Sequence, residues 1–188
     1  ARPPLLRAVP ACPHHGLRSA ASGRAARRGR PGKAGNVRAT GRKAASVISD
    51  TAQGEWRLHP ALAADCHHLG RLPSSRLLLQ RNATLHWFIL VPETGERDLL
   101  DLPRDQLAAL LEDARRVAGF LRRGLGYQRV NVGALGLRVA QLHLHVIGRR
   151  EDDPCWPNPV WGALQPGPDY TAEELARLAG ALLPPPGT

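Results

Sequence analysis

Gln141, His143 and His145 recur at every second position of the stretch Val139–Gly148, with Leu142, Leu144 and Val146 completing the alternation. Strict alternation of polar and apolar side chains is the period of a half-buried strand. It predicts a carboxamide and two imidazoles on one accessible face, about 7 Å apart in steps of two residues. The three aliphatic side chains then point into a core. Imidazole titrates near neutrality, so such a row can act on an anion or hold a metal. If His143 attacks phosphorus, its other ring nitrogen must be anchored to a backbone carbonyl, which fixes the tautomer. His145 could then donate to a phosphoryl oxygen or to the leaving group. Gln141 could hydrogen-bond the leaving or bridging oxygen but could not carry a proton. The scheme is covalent catalysis: attack, a phosphoramidate intermediate, then water. Spacing alone leaves open the plainer alternative, the wet face of an amphipathic strand.

The elements that must position this row are legible in outline. Leu58–Leu69 carries a short helical pattern, centred on Ala61–Asp65 after Pro60, a favourable first-turn residue. Arg76–Gln80 reads as a strand, and His86–Val91 is the most β-prone stretch of the chain. Asp101 is a plausible N-cap for a long helix over about residues 103–124, with Gly124 and Gly126 to stop it. Gln128–Ala134 reads as a strand, residues 133–138 as a turn, and Val139–Gly148 as the hairpin partner. The segment 152–168 has five prolines and two tryptophans, so it is irregular and packed. Thr171 caps a last helix, whose first turn holds Glu173 and Glu174. The order predicts an α+β domain: an antiparallel sheet of about five strands, one long helix and a C-terminal helix.

Charge locates the folded part. The 188 residues carry a net +10, yet residues 1–53 hold 11 Lys and Arg against Asp50 alone, while residues 54–188 hold 15 basic and 15 acidic side chains. The basicity therefore belongs to an arm, not to the domain. That arm is rich in Ala, Gly, Arg, Pro and Ser and has too little apolar surface to offset its ordering entropy, so disorder is expected. It reads as a solvated tail, as a transit-like or nucleic-acid-binding arm, or as an over-extended translation start in a chain without Met. The domain is expected over 54–184, with a tail at 185–188. Cys12, Cys66 and Cys155 form no CxxC pair and suit a reducing compartment, so a cytoplasmic protein is the expectation. No run is apolar enough for a signal peptide or membrane span.

Other constellations carry less. His86 with His143 and His145 has the composition of a zinc site, but alternation puts His86 on the face of Phe88 and Leu90. Cys66-His67-His68 lacks a second ligand pair. Gly124-Leu-Gly126 is a helix terminator, with no strand before it to make a phosphate loop. Trp156 and Trp161 either pack the proline-rich segment over the sheet or wall a ligand pocket. The pairs Arg115-Arg116 and Arg122-Arg123 mark the solvent side of the long helix, and Arg149-Arg150 could draw in polyphosphate.

The stretch Gln-Leu-His-Leu-His-Val-Ile at 141–147 resembles the histidine triad signature, His-φ-His-φ-His-φ-φ, of nucleotide hydrolases and transferases. From about Trp56 to Leu183 the chain resembles the bacterial, diadenosine-polyphosphate-hydrolase-like branch of that superfamily. Carrying the resemblance are Leu62-Ala-Ala-Asp-Cys66, Leu77-Leu-Leu-Gln-Arg-Asn82, Trp87-Phe-Ile-Leu-Val-Pro92, Asn131-Val-Gly-Ala-Leu-Gly136 and Asp153-Pro-Cys-Trp-Pro-Asn-Pro-Val-Trp-Gly162. The resemblance implies that His143 is the nucleophile toward the α-phosphate and that His145 contacts the phosphate. Gln141 takes the first triad position. Asn131 matches a polar position that reaches the phosphate, and Asn82 lies near the strand over which the nucleotide is expected. Two positions depart from the pattern: Leu137 replaces an Asn, and Arg138 stands where a small hydroxyl helps hold phosphate. The Arg either supplies a charge-assisted contact or points to solvent.

The resemblance implies hydrolysis of a phosphoanhydride or phosphoramidate bond of a (di)nucleotide through a nucleotidyl-histidine. It implies no tightly bound cofactor, a possible Mg2+ carried by the substrate, no metal held by the protein, and a homodimer paired through the long helix and hairpin. The alternatives are a non-catalytic nucleotide-binding module, with Gln141 and Leu137 as signs of decayed chemistry, and a nucleic-acid-binding protein working through its basic arm. The neutral domain makes the last the weakest, and no membrane partner is expected.

Overall fold

The computed structural model describes residues 56–185; the basic segment 1–53 and Cys12 lie outside the described residues. Helix α1 (Pro60–Asp65) opens the fold, with His59 Nδ1 accepting the Ala61 N–H at 3.2 Å as its cap. Strands β1 (Cys66–Arg71), β2 (Arg76–Gln80) and β3 (Trp87–Val91) follow as a meander. Helix α2 (Arg104–Gly119) continues through a wider π turn, Phe120–Gly124. Strands β4 (Arg129–Gly133) and β5 (Leu144–Arg149) form the last hairpin, and α3 (Ala172–Leu182) closes the domain. The sheet is antiparallel throughout, in the order β1-β2-β3-β5-β4. The expected α+β architecture is the one observed.

Each face of the sheet has its own core. Leu77, Leu79, Phe88, Leu90, Leu144 and Val146 point toward α2 and α3, meeting Leu110, Val117, Leu121, Leu178 and Leu182. Leu78, Trp87, Ile89, Val91 and Ile147 point the other way, where Leu62, Cys155 and Val160 cover them. Each large side chain buried this way contributes about 1.5–3 kcal/mol. A sheet covered on both sides reads as an apolar run, not an alternation, which is why Leu77–Leu79 and Trp87–Val91 look as they do. Among the described residues no helix is long and apolar enough to cross a membrane.

Three boundaries differ from the sequence reading. The helical pattern at the start stops at Asp65, and Cys66-His67-His68 begins a fifth strand. That strand is irregular, with a register shift between His68 and Gly70. Gly70 has φ +150° and its missing Cβ would meet Leu183 Cδ1 at 2.6 Å, so its alternation is broken where a reader would look for it. Asp101 lies in a separate 3-10 turn, Leu99–Asp101, and Pro103 holds the N-cap position of α2. The third difference bears on the site: β5 begins at Leu144, not Val139. Its pairings end there. The β3 pairing closes at Leu90↔Leu144 and the β4 pairing at Gly133↔His145, so residues 139–143 have no strand to bond. Thr171 caps α3 as expected, with its side chain accepting from Glu174 N and Glu174 reaching back to Thr171 N.

Candidate functional site

His145 lies on β5 opposite Ile89 and Gly133, on the sheet face away from the long helix. His143 precedes the strand by one residue, and the two rings meet edge to face with centroids 4.8 Å apart. Both are 8% exposed, buried but reachable from one side. They line a cleft of about 470 Å3. Leu62 and Asp65 of α1, Cys66 of β1, Gln80 of β2, Trp87 and Ile89 of β3, the loop 135–139, Trp161 and Gly162 make up the rest of its lining. The β4–β5 loop can cross the sheet end because Gly136 turns at φ +64°, a conformation that favours glycine.

The two imidazoles are held differently. His143 Nδ1 is 2.7 Å from the carbonyl oxygen of Gln141. A carbonyl only accepts, so Nδ1 carries a proton, and in the neutral ring the lone pair is on Nε2. His145 Nδ1 accepts from the indole Nε1–H of Trp87 at 2.9 Å. An indole nitrogen only donates. Burial, and then the neighbouring His143, push the pKa of His145 down to about 4, so the ring is neutral at ordinary pH. Side by side, the cleft holds one imidazole bonded through Nδ1 to a carbonyl and one bonded through Nδ1 to an indole N–H. Burial and the adjacent Asp65 push the Cys66 thiol up to about 12, which removes it as a rival nucleophile.

Gln141 is not in this row. Its Nε2 donates to the Arg57 carbonyl at 3.0 Å and its Oε1 accepts from His59 N at 2.9 Å. With the chain out of the sheet before Leu144, period-two geometry no longer governs position 141, and the carboxamide satisfies backbone groups ahead of α1 instead. Asn131, on β4, accepts from Arg149 Nη1 at 2.7 Å and does not line the cleft. Arg138 does line it, exposed at its edge beside Leu137, which is 88% exposed. Asn82 gives its amide to the Gln165 carbonyl (2.7 Å) and accepts from Thr84 N (3.1 Å). It borders a second depression of about 480 Å3 that shares Asp65 and Gln80 with the cleft.

Several other expectations resolve here. Arg149 is buried and bound to Asp153 at 2.7 and 3.1 Å, with a further bond to the Asn158 carbonyl at 2.9 Å. Arg150 donates to the Leu125 carbonyl at 2.6 Å and lies 4.2 Å over the Tyr127 ring. Both are committed to packing, not to drawing in polyphosphate. His86 is on the helix side of the sheet, 2.7 Å from Tyr127 Oη, well apart from the other two histidines as alternation indicates. Among the described residues no group of three His, Cys, Asp or Glu is arranged to hold a metal ion. Trp161 meets both readings given to it: it packs against Trp87 and His145, at 6.1 and 5.9 Å between centroids, and walls the cleft. A slightly larger depression, about 530 Å3, runs along α2 among Arg115, Arg116, Arg122 and Arg123 and contains no imidazole or thiol. Sequence reasoning missed Trp87 as a partner of His145, since it stands 58 positions away and only strand pairing joins them.

Comparison with known proteins places this geometry. The HIT domain family model matches residues 62–152. No curated protein matches the chain. A histidine triad protein from Marinobacter aquaeolei VT8 is 42% identical, over 69% of this chain and 94% of that one, with a TM-score of 0.63. A histidine triad protein from Bradyrhizobium japonicum is 38% identical, over 68% of this chain and 95% of that one, with a TM-score of 0.63. A third, from Sinorhizobium meliloti 1021, is 35% identical, over 68% and 95%, with a TM-score of 0.64. With two imidazoles at the matching motif positions and relatives of this identity covered almost end to end, the chain belongs to the histidine triad (HIT) family.

Proposed function

We propose that the domain, residues 54–184, hydrolyses a phosphoanhydride or phosphoramidate bond of a nucleotide or dinucleotide through a nucleotidyl-His143 intermediate. The observation that carries this reading is the bond from His143 Nδ1 to the Gln141 carbonyl, which engages one nitrogen of a ring that lines the cleft and leaves Nε2 to act as nucleophile. In the first step Nε2 attacks the α-phosphorus and the bond to the leaving group breaks with its electron pair. The positive charge left on the imidazole is shared with Nδ1–H, where the carbonyl supports it. His145 Nε2–H donates to the reacting phosphate, and Arg138 adds charge at the rim. Water then attacks phosphorus, the P–N bond returns its pair to His143, and the water proton passes to solvent.

Gln141 and Asn131 act from behind this site. Gln141 contributes the carbonyl that orients His143, while its side chain holds the segment before α1. Asn131 orders the Arg149–Asp153 pair behind β5. The exposed Val132 on edge strand β4 supports pairing of two copies along that edge, which sedimentation of the full chain would test.

The testing experiment is nucleotide release from diadenosine tetraphosphate and from adenosine 5′-phosphoramidate, by the intact protein and by His143→Ala, with added magnesium and with chelator. Turnover lost in the variant is expected. Nucleotide binding without turnover in either protein would sink the hydrolase reading and favour a binding module.

A further inference from the structure

We infer that Trp87 is a specificity-determining positioning residue: its indole N–H holds His145 as a donor that cannot release its proton, which restricts cleavage to leaving groups that depart as anions. The inference rests on the nucleotidyl-His143 reading and narrows it to phosphoanhydrides over phosphoramidates.

The argument begins with the 2.9 Å bond from Trp87 Nε1 to His145 Nδ1, buried in the core between α1 and the sheet. Because the indole can only donate, the Nδ1 facing it must be a lone pair, and the neutral ring carries its proton on Nε2. Two routes out of that state are blocked. Adding a proton at Nδ1 would set two buried donors against each other. Giving up the Nε2 proton would leave an imidazolate. His145 can therefore hydrogen-bond a developing charge but cannot transfer a proton to it. Its low pKa, set by burial and by His143, points the same way.

His143 shows the contrast. Its Nδ1 faces a carbonyl, so its ring can carry a positive charge, and Trp87 denies that to its neighbour. Of the other groups lining the cleft, Arg138 keeps its protons and Cys66 has a thiol pushed up to about 12; Asp65 is exposed at the rim. None is a poised acid beside His145.

The chemistry of the leaving group follows. When a P–O–P bond breaks, the electron pair goes to a phosphate oxygen of low basicity, and the departing anion needs only a hydrogen bond. When a P–N bond breaks, the pair goes to nitrogen, which is far too basic to leave unprotonated and must receive a proton as it departs. A site whose one neighbouring donor is locked serves the first reaction and not the second.

The test pairs kinetics with a direct view of the ring. Trp87→Phe keeps an aromatic ring in the core and deletes the N–H. Side-chain 15N NMR of the unmodified full-length protein is expected to show His145 Nδ1 unprotonated and Nε2 protonated. Wild-type kcat/KM is expected to favour diadenosine tetraphosphate over adenosine 5′-phosphoramidate. In Trp87→Phe the freed Nδ1 can take a proton from solvent, so Nε2–H becomes transferable. The preference should then narrow by at least about tenfold, through kcat on the phosphoramidate. A proton on Nδ1 in the wild type, a wild-type preference for the phosphoramidate, or an unchanged ratio in the variant would overturn the inference while His143-dependent turnover stands. Turnover of neither substrate by the wild type would overturn the hydrolase reading and the leaving-group rule together. The NMR and wild-type preference do not depend on the variant folding.

Discussion

His86, half-buried, and His145, buried, are both neutral at ordinary pH with pKa values pushed down to about 4, and lie on opposite faces of one sheet. His86 faces the helices: burial first, then Arg150 and Arg177, lower its pKa, and Tyr127 Oη binds its Nδ1 at 2.7 Å. His145 faces the cleft, with Trp87 on one nitrogen and the other turned toward a space of about 470 Å3. The perturbation is the same in size and in leading cause, desolvation. What separates them is the cleft, which His145 lines beside His143 and His86 does not. A depressed pKa marks burial, and burial marks a working site only where one ring nitrogen still meets a cavity beside a second reactive group.

The sharpest way to break this contrast is to remove one imidazole from each face. His143→Ala should cut turnover by roughly 10^3-fold or more with little change in melting temperature. His86→Phe should leave kcat within about twofold and lower stability by about 1–3 kcal/mol, because Tyr127 Oη loses its imidazole partner. Rate assays and urea unfolding on both variants check the pair. Equal loss of activity in the two would end the distinction.

The cleft face also has a purely structural charge. Arg149 and Asp153, with side chains 3% and 2% exposed, hold the proline-rich segment against β5. Asp153→Asn leaves a buried guanidinium without its counter-charge and should cost about 3–5 kcal/mol of stability. Chemical denaturation reads this directly. A loss below 1 kcal/mol would mean that the pair behaves as a solvated one.

Acid should act on both faces alike. Each histidine is neutral when folded, so the unfolded chain binds more protons between its ordinary pKa of 6.5 and the folded value of about 4. Stability therefore falls as pH drops through that window, by about 3 kcal/mol for each ring. His86→Phe should make the slope shallower, and melting temperatures at pH 7 and pH 4.5 measure it. An unchanged slope would mean that His86 does not contribute to it. The smallest effect is expected from Gln141→Ala, which frees the Arg57 carbonyl and the His59 N–H. It should cost about 1 kcal/mol and leave kcat within about threefold. A loss of kcat comparable to that of His143→Ala would return Gln141 to the reactive row.

Local pattern carried much of the fold. Leu142, Leu144 and Val146 do point into the helix-side core, and the Thr171 cap and the Gly124–Gly126 stop stand as read. The β1 strand was hidden because a bulge at Gly70 and the His-His pair break its alternation. The turn Leu99–Asp101 took the cap residue that periodicity offered to α2.

At the site the divide has a physical cause. Residue type and spacing determined that His143 and His145 share a face and that one of them could act as nucleophile, because both facts are properties of a few adjacent residues. Which nitrogen of each ring carries the proton depends on what each ring touches. Those partners are a backbone carbonyl two residues away and an indole 58 residues away. Gln141 left the row for the same reason: a strand's period holds only where neighbouring strands are present to enforce it, and the pairings with β3 and β4 end at Leu144 and His145. Sequence sets the period, and pairing decides how far it runs.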